Sequence, residues 1–151
     1  MEFSSKVTLI TSVVVIAACC GGATLLISPL TDVVSKREEG AIKYGDQVVS
    51  TVLKDWSPQS LEPFANDVMR DSLDDKGFKE RLAGNKKALG NFVSGKSKAN
   101  LVGTRKSNGK TTMLVRYEND AKFENASAVV RLDLEFQDKK WKVATFSVDP
   151  E

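Results

Sequence analysis

Hydrophobic and polar positions follow two different periods along this chain, with an uninterrupted apolar stretch before both. In residues 36–56, Ala41, Ile42, Val48, Val49, Val52, Leu53 and Trp56 recur at i+3, i+4 and i+7 spacing, which predicts an amphipathic helix. Ser57-Pro58 ends it, because proline disfavours helical geometry in the residue before it. A second helix is expected from about residue 60 to 74, with Pro63 in its first turn and Leu61, Phe64, Ala65, Val68, Met69 and Leu73 on its apolar face. A third, weaker helical segment covers residues 76–92, with Phe78, Leu82, Leu89 and Phe92 facing inward. Gly77, Gly84 and Gly90 weaken it, since a glycine inside a helix costs about 1 kcal/mol against alanine.

The period then shortens to two. Lys98–Lys106 reads as a strand, and Ser107-Asn108-Gly109 after it carries the Asn-Gly hairpin signal. Met113, Val115 and Tyr117 alternate with Thr112, Leu114 and Arg116. Residues 128–137 alternate more cleanly, with Ala128, Val130, Leu132, Leu134 and Phe136 on one side and Val129, Arg131, Asp133, Glu135 and Gln137 on the other. Such alternation suits a sheet with one buried face. Asp138-Lys139-Lys140 makes a turn into a last strand, Trp141–Val148. There Trp141 and Val143 share one parity while Ala144, Phe146 and Val148 share the other, which predicts a bulge or burial on both faces. Helices followed by about four consecutive antiparallel strands define an α+β domain, the sheet wrapped on the helices.

Ahead of this domain, Val7 to Leu30 is a run of 24 residues without a charge. That is long enough for a membrane-spanning helix, which needs about 20. Three readings fit it. It is an uncleaved signal anchor, or a cleaved secretory signal with Lys6 in its n-region and Ala17-Ala18 at its end, or a lipoprotein signal. In the last case Ile16-Ala17-Ala18-Cys19 resembles a bacterial lipobox and makes Cys19 the candidate lipidation site. A lipobox is usually followed by a polar linker, whereas Ala23-Thr24-Leu25-Leu26-Ile27 continues the apolar run, so the anchor is preferred. The expected organisation is therefore a membrane anchor or signal segment at 1–30 and an extracytoplasmic domain at 31–151. The expected location is a single-pass membrane protein with its domain on the periplasmic or extracellular side. Lipoprotein and secreted forms are the alternatives.

Composition narrows the chemistry. The 151 residues include no histidine, and both cysteines, Cys19 and Cys20, lie in the apolar run. The folded part therefore has no imidazole base and no thiol, which excludes His-based triads and His-ligated metals there. The 22 basic and 20 acidic side chains nearly cancel, unlike a domain built on phosphate contacts. No cofactor and no nucleic-acid partner are expected.

Local motifs have ordinary explanations. Gly103–Thr111 resembles a P-loop, but it has five residues between its glycines instead of four and sits at a hairpin. Asp71, Asp74, Asp75 and Glu80 lack the alternate spacing of a calcium loop. Lys96, Lys98, Arg105, Lys106 and Lys110 bracket the first hairpin as solubilising charge, with anionic lipid as a contact if that hairpin points at the membrane. Asn125-Ala126-Ser127 is a sequon that matters only in a eukaryotic secretory pathway. Asp133 and Glu135 share a strand face with Arg131, as expected for cross-strand ion pairs. Tyr44, Trp56, Tyr117 and Trp141 are the candidate lining of a pocket inside the sheet, with core packing the competing role.

Three stretches carry a family likeness: Asp55-Trp56-Ser57-Pro58 with Leu61-Glu62-Pro63-Phe64; Tyr117 with Ala121-Lys122-Phe123-Glu124 and Ala128-Val129-Val130; and Lys140-Trp141-Lys142-Val143 with Phe146-Ser147-Val148. Over residues 40–149 the pattern resembles the cystatin-like/NTF2-like superfamily, in particular its small membrane-anchored or exported bacterial proteins of unknown function. The resemblance implies helices packed on a curved four-stranded antiparallel sheet, and the uncharged run 7–30 places an N-terminal transmembrane helix before them in the expected fold. That group contains enzymes, ligand binders and assembly domains, so fold alone does not give function. Its enzymes often use Asp–His pairs, which this chain lacks. The expected function is a membrane-tethered, non-catalytic protein-interaction domain, an accessory or assembly subunit with a membrane-protein partner. The alternatives are a small apolar ligand-binding domain and a carboxylate-only hydrolase or isomerase.

Overall fold

The computed structural model describes residues 32–151. Residues 38–151 form one compact unit. Of the unit before it, the described residues 32–37 are helical. The apolar run 7–30, with Cys19, lies outside the described residues. Among the described residues no helix is long and apolar enough to cross a membrane.

Helix α1 is described over residues 32–55. Its stripe of Ala41, Val48, Val49, Val52 and Leu53 is buried as the helical period requires. It ends where Trp56 takes a left-handed conformation (φ 57°) while its N–H still donates to Val52 O at 2.8 Å. Glycine usually fills that position, and a larger residue costs roughly 1–2 kcal/mol there. Burial of the indole against Phe123, ring centroids 5.6 Å apart, offsets the cost.

The expected helix over 60–74 is two short helices instead, α2 (Pro58–Leu61) and α3 (Asp67–Ser72). Ser57 caps α2 through Gln59 N–H, and proline occupies the first helical position at 58, not 63. Between the helices the backbone turns to the sheet. Asn66 N–H donates to Val143 O and Val143 N–H to Phe64 O, both at 2.8 Å, so Ala65 pairs in parallel with Val143. Those ladder bonds and the Asn66 cap on Met69 N–H outcompete helix continuation. Val68, expected on the apolar face, is 71% exposed as a result. Helix α4 (Lys76–Leu89) starts on the Asp75 cap and stops at Gly90, whose φ of 78° suits glycine. Phe92 therefore opens the sheet and does not close the helix.

The sheet is open, antiparallel and ordered β1-β2-β3-β4, from β1 (Phe92–Ser107), β2 (Lys110–Phe123), β3 (Ser127–Gln137) and β4 (Lys140–Pro150). Asn108 and Gly109 both have positive φ, making the two-residue turn that Asn-Gly predicts; Asp138 and Lys139 make a second one. The parity change in the last strand is a bulge: Thr145 faces Asp133 but Val143 faces Leu134, leaving Ala144 extra. A matching irregularity between Leu101 and Gly103 leaves Val102 extra in β1. One sheet face, with Val115, Tyr117, Val130, Leu132, Leu134 and Val143, closes the core with the helices. The architecture is thus α+β, helices packed with a four-stranded antiparallel sheet.

Candidate functional site

The sheet face turned away from the core carries its polar side chains in ordered rows. Strand pairing aligns Lys98, Glu118, Arg131 and Ser147 across four strands. Lys98 Nζ lies 3.0 Å from Glu118 Oε2, Arg131 Nε lies 3.3 Å from Glu118 Oε1, and Arg131 Nη1 pairs with Asp149. Lys98 first, and Arg131 after it, hold the Glu118 carboxyl below the usual glutamate range. In the next row Arg116 Nε meets Asp133 Oδ1 at 3.0 Å, and Thr145 Oγ1 donates to Asp133 Oδ2 at 3.0 Å. In the third, Arg105 of β1 reaches past β2 to Glu135 Oε1 at 3.0 Å, while Asn66 Nδ2 donates to Glu135 Oε2 at 3.1 Å. Asp133 and Glu135 are thus ion-paired across strands, the ordinary role their spacing indicates.

The two bulges open a gap in these rows. Val102, 58% exposed, and the half-buried Leu114 and Ala144 form an apolar floor, framed by Arg116, Asp133 and Glu135 around a cleft of about 180 Å³. A wider cleft of about 770 Å³ adjoins it, between α3 and the sheet, lined by Asn66, Val68, Arg70, Arg105, Glu135 and Lys140 among others. The arrangement is an apolar centre inside a polar rim.

The core face holds a second polar group. Tyr117, fully buried, donates from its hydroxyl to Asp46 Oδ1 at 2.7 Å and accepts from Asn119 Nδ2 at 3.1 Å. Burial is the main cause that pushes the Tyr117 phenol well above the usual tyrosine range, and the bond to Asp46 adds to it. Two glycines make room. A Cβ on Gly45 would lie 2.3 Å from the Tyr117 ring, and one on Gly95 would lie 1.9 Å from Asn119 Oδ1. Asn119 Oδ1 and Trp56 Nε1 are buried without a hydrogen-bond partner among the described residues.

The four aromatics of the expected pocket fall into two groups. Trp56 and Tyr117 are buried in the core. Tyr44 and Trp141 are half-buried and stack at 6.4 Å, with Tyr44 edge-on to Phe64 at 5.9 Å and Trp141 against Phe136 at 4.8 Å. Desolvation raises the Tyr44 phenol to about 12. Neither of the two clefts on the outer face touches these four side chains. Among the described residues no three carboxylates converge on a metal-sized site.

Pattern reading missed Asn119, Asp46, Val102 and Asn66. Asn119 alone left a trace: a polar residue at the buried parity between Tyr117 and Ala121. No family model matches this chain, and neither a curated protein nor a solved structure is significantly similar to it.

Proposed function

We propose that this chain is a membrane-tethered, non-catalytic interaction domain, an accessory or assembly subunit that engages another protein at the membrane. The observation that carries the reading is the open sheet face, where Val102, Leu114 and Ala144 form an apolar floor framed by ordered ion pairs. A surface already organised by its own ion pairs has less side-chain freedom to lose on binding. The polar group of the core fits a structural role, because the Tyr117 hydroxyl is committed to Asp46 and Asn119 together. The apolar run 7–30 supplies the tether, which raises the effective concentration of the domain near membrane partners. The cystatin-like/NTF2-like superfamily that the sequence resembles includes assembly domains beside its enzymes and ligand binders.

The test is co-purification of the full chain extracted from membranes, wild type beside Val102→Glu and Leu114→Glu. One other chain at fixed stoichiometry, lost with either substitution while the fold persists, is the expected result. A partner retained by both variants would remove this face from the account.

A further inference from the structure

Both two-residue turns of the sheet lie at the same end. Lys110 Nζ sits 2.8 Å from Asp138 Oδ2, joining the β1–β2 turn to the β3–β4 turn. Around the first are Arg105, Lys106 and Lys110; around the second are Lys139, Lys140 and Lys142. Two carboxylates of these turns answer them, Glu135 on Arg105 and Asp138 on Lys110. Lys106, Lys139 and Lys140 are exposed and pair with no carboxylate among the described residues. Within three residues of the turn at the other end, 124–126, the charges are Lys122 and Glu124, which cancel.

Helix α1 fixes which end faces the start of the compact unit. Its C-terminal end lies at the 124–126 turn, where Trp56 packs on Phe123. Its earlier residues lie at the basic end: Tyr44 stacks on Trp141, and Gly40 sits against the same indole, with Nε1 3.5 Å from where a Cβ would be. Further up the helix, Glu38 accepts from Leu101 N–H at 3.2 Å, which leaves Glu39 as the exposed carboxylate beside it. The chain therefore enters the unit at its basic end. Eight peptide steps separate Glu38 from Leu30, the last residue of the apolar run.

We infer that the paired basic turns form a contact surface for a bilayer with anionic headgroups, holding the domain with its β1–β2 and β3–β4 turns toward the membrane. The inference rests on the tether reading of residues 7–30. Each lysine near an anionic surface favours contact about fivefold, and the attraction fades beyond about 8 Å at physiological salt.

The test is lysine labelling of the full chain in vesicles, with a membrane-impermeant amine reagent and site-by-site mass spectrometry. Vesicles of phosphatidylcholine alone are compared with vesicles containing phosphatidylglycerol. Lys87 and Lys122, toward the opposite end, serve as internal references. The expected result is that labelling of Lys106, Lys110, Lys139 and Lys140 slows at least about threefold relative to the references in the anionic vesicles, and recovers at 1 M salt, where the screening length is about 3 Å. If the four slow no more than Lys87 and Lys122, the inference is overturned. Failure of the chain to float with phosphatidylcholine vesicles would instead refute the tether, so the two failures are separately visible.

Discussion

The Tyr117 hydroxyl donates to Asp46 Oδ1 across 2.7 Å, joining the middle of β2 to α1 over 71 residues of sequence. The same oxygen takes the Asn119 amide, so one group satisfies a buried donor and fastens a helix to the sheet. Tyr117→Phe leaves the Asn119 amide wholly unpaired inside the core, and we expect it to cost about 1–3 kcal/mol in urea unfolding. Asp46→Ala should cost less, because Asp46 is exposed and the amide keeps its phenol acceptor. The double mutant should cost less than the two single costs added; strict additivity would mean that the bond contributes nothing.

Alkali should weaken the fold. The phenols of Tyr44 and Tyr117 hold their protons more tightly in the folded state than a free tyrosine does, Tyr44 to about 12 and Tyr117 beyond that. Below pH 10 this stabilisation is fully present. Above it the unfolded state binds fewer protons than the folded state, so stability falls as pH rises, by about 1.4 kcal/mol per pH unit for each tyrosine at most. Half-exposed Tyr44 should contribute the smaller part. Unfolding measured between pH 9 and 12 should show this decline, and Tyr117→Phe should flatten it. An equal decline in the variant would place its cause elsewhere.

Two glycines should respond with opposite signs to alanine. A methyl on Gly45 would meet Tyr117 Cδ2 at 2.3 Å and force α1 off the sheet, so Gly45→Ala should lose about 1–3 kcal/mol. Gly84, in the interior of α4, has nothing within 4 Å of a new Cβ, so Gly84→Ala should gain about 0.5–1 kcal/mol. Denaturation midpoints of both variants check the contrast, which fails if both shift the same way.

Glu135 and Asp138 each pair with one cation, yet their removal should differ. The Glu135 side chain is 17% exposed and bonded by both Arg105 and Asn66. Glu135→Ala takes the acceptor from the Asn66 amide and the partner from Arg105, while the backbone bonds of the loop to Val143 remain, at a cost of about 1–2 kcal/mol. Asp138 meets Lys110 with both side chains more than half exposed, and Asp138→Ala should change stability by under about 0.5 kcal/mol. Comparable losses at the two positions would contradict this ranking.

Most of the fold is legible where a residue's burial follows from its own period. The alternation in 128–137 gives β3, the Asn108-Gly109 pair gives the first hairpin, and the parity change after Val143 gives the bulge at Ala144. What fails is decided by distant partners. The backbone of residues 64–66 leaves the helical path to pair with Val143, a contact no local window contains. The outer face is half legible: the carboxylates Asp133 and Glu135 announce themselves as ion-pair members, while the Arg105 and Asn66 partners of Glu135 depend on strand register and on that same loop. Asn119 has its place because Gly95 leaves room for its amide, which shows only once β1 and β2 are aligned.

The central claim is that this domain works from a membrane tether. Its most direct test is the intact mass of the chain recovered from membranes washed at alkaline pH. The account predicts the full, unprocessed chain of 16.5 kDa in the pellet. A shorter chain in the soluble fraction would contradict it and establish a cleaved signal. A shorter chain in the pellet, beginning at Cys19 and carrying added lipid mass, would contradict the transmembrane tether in favour of a lipid one.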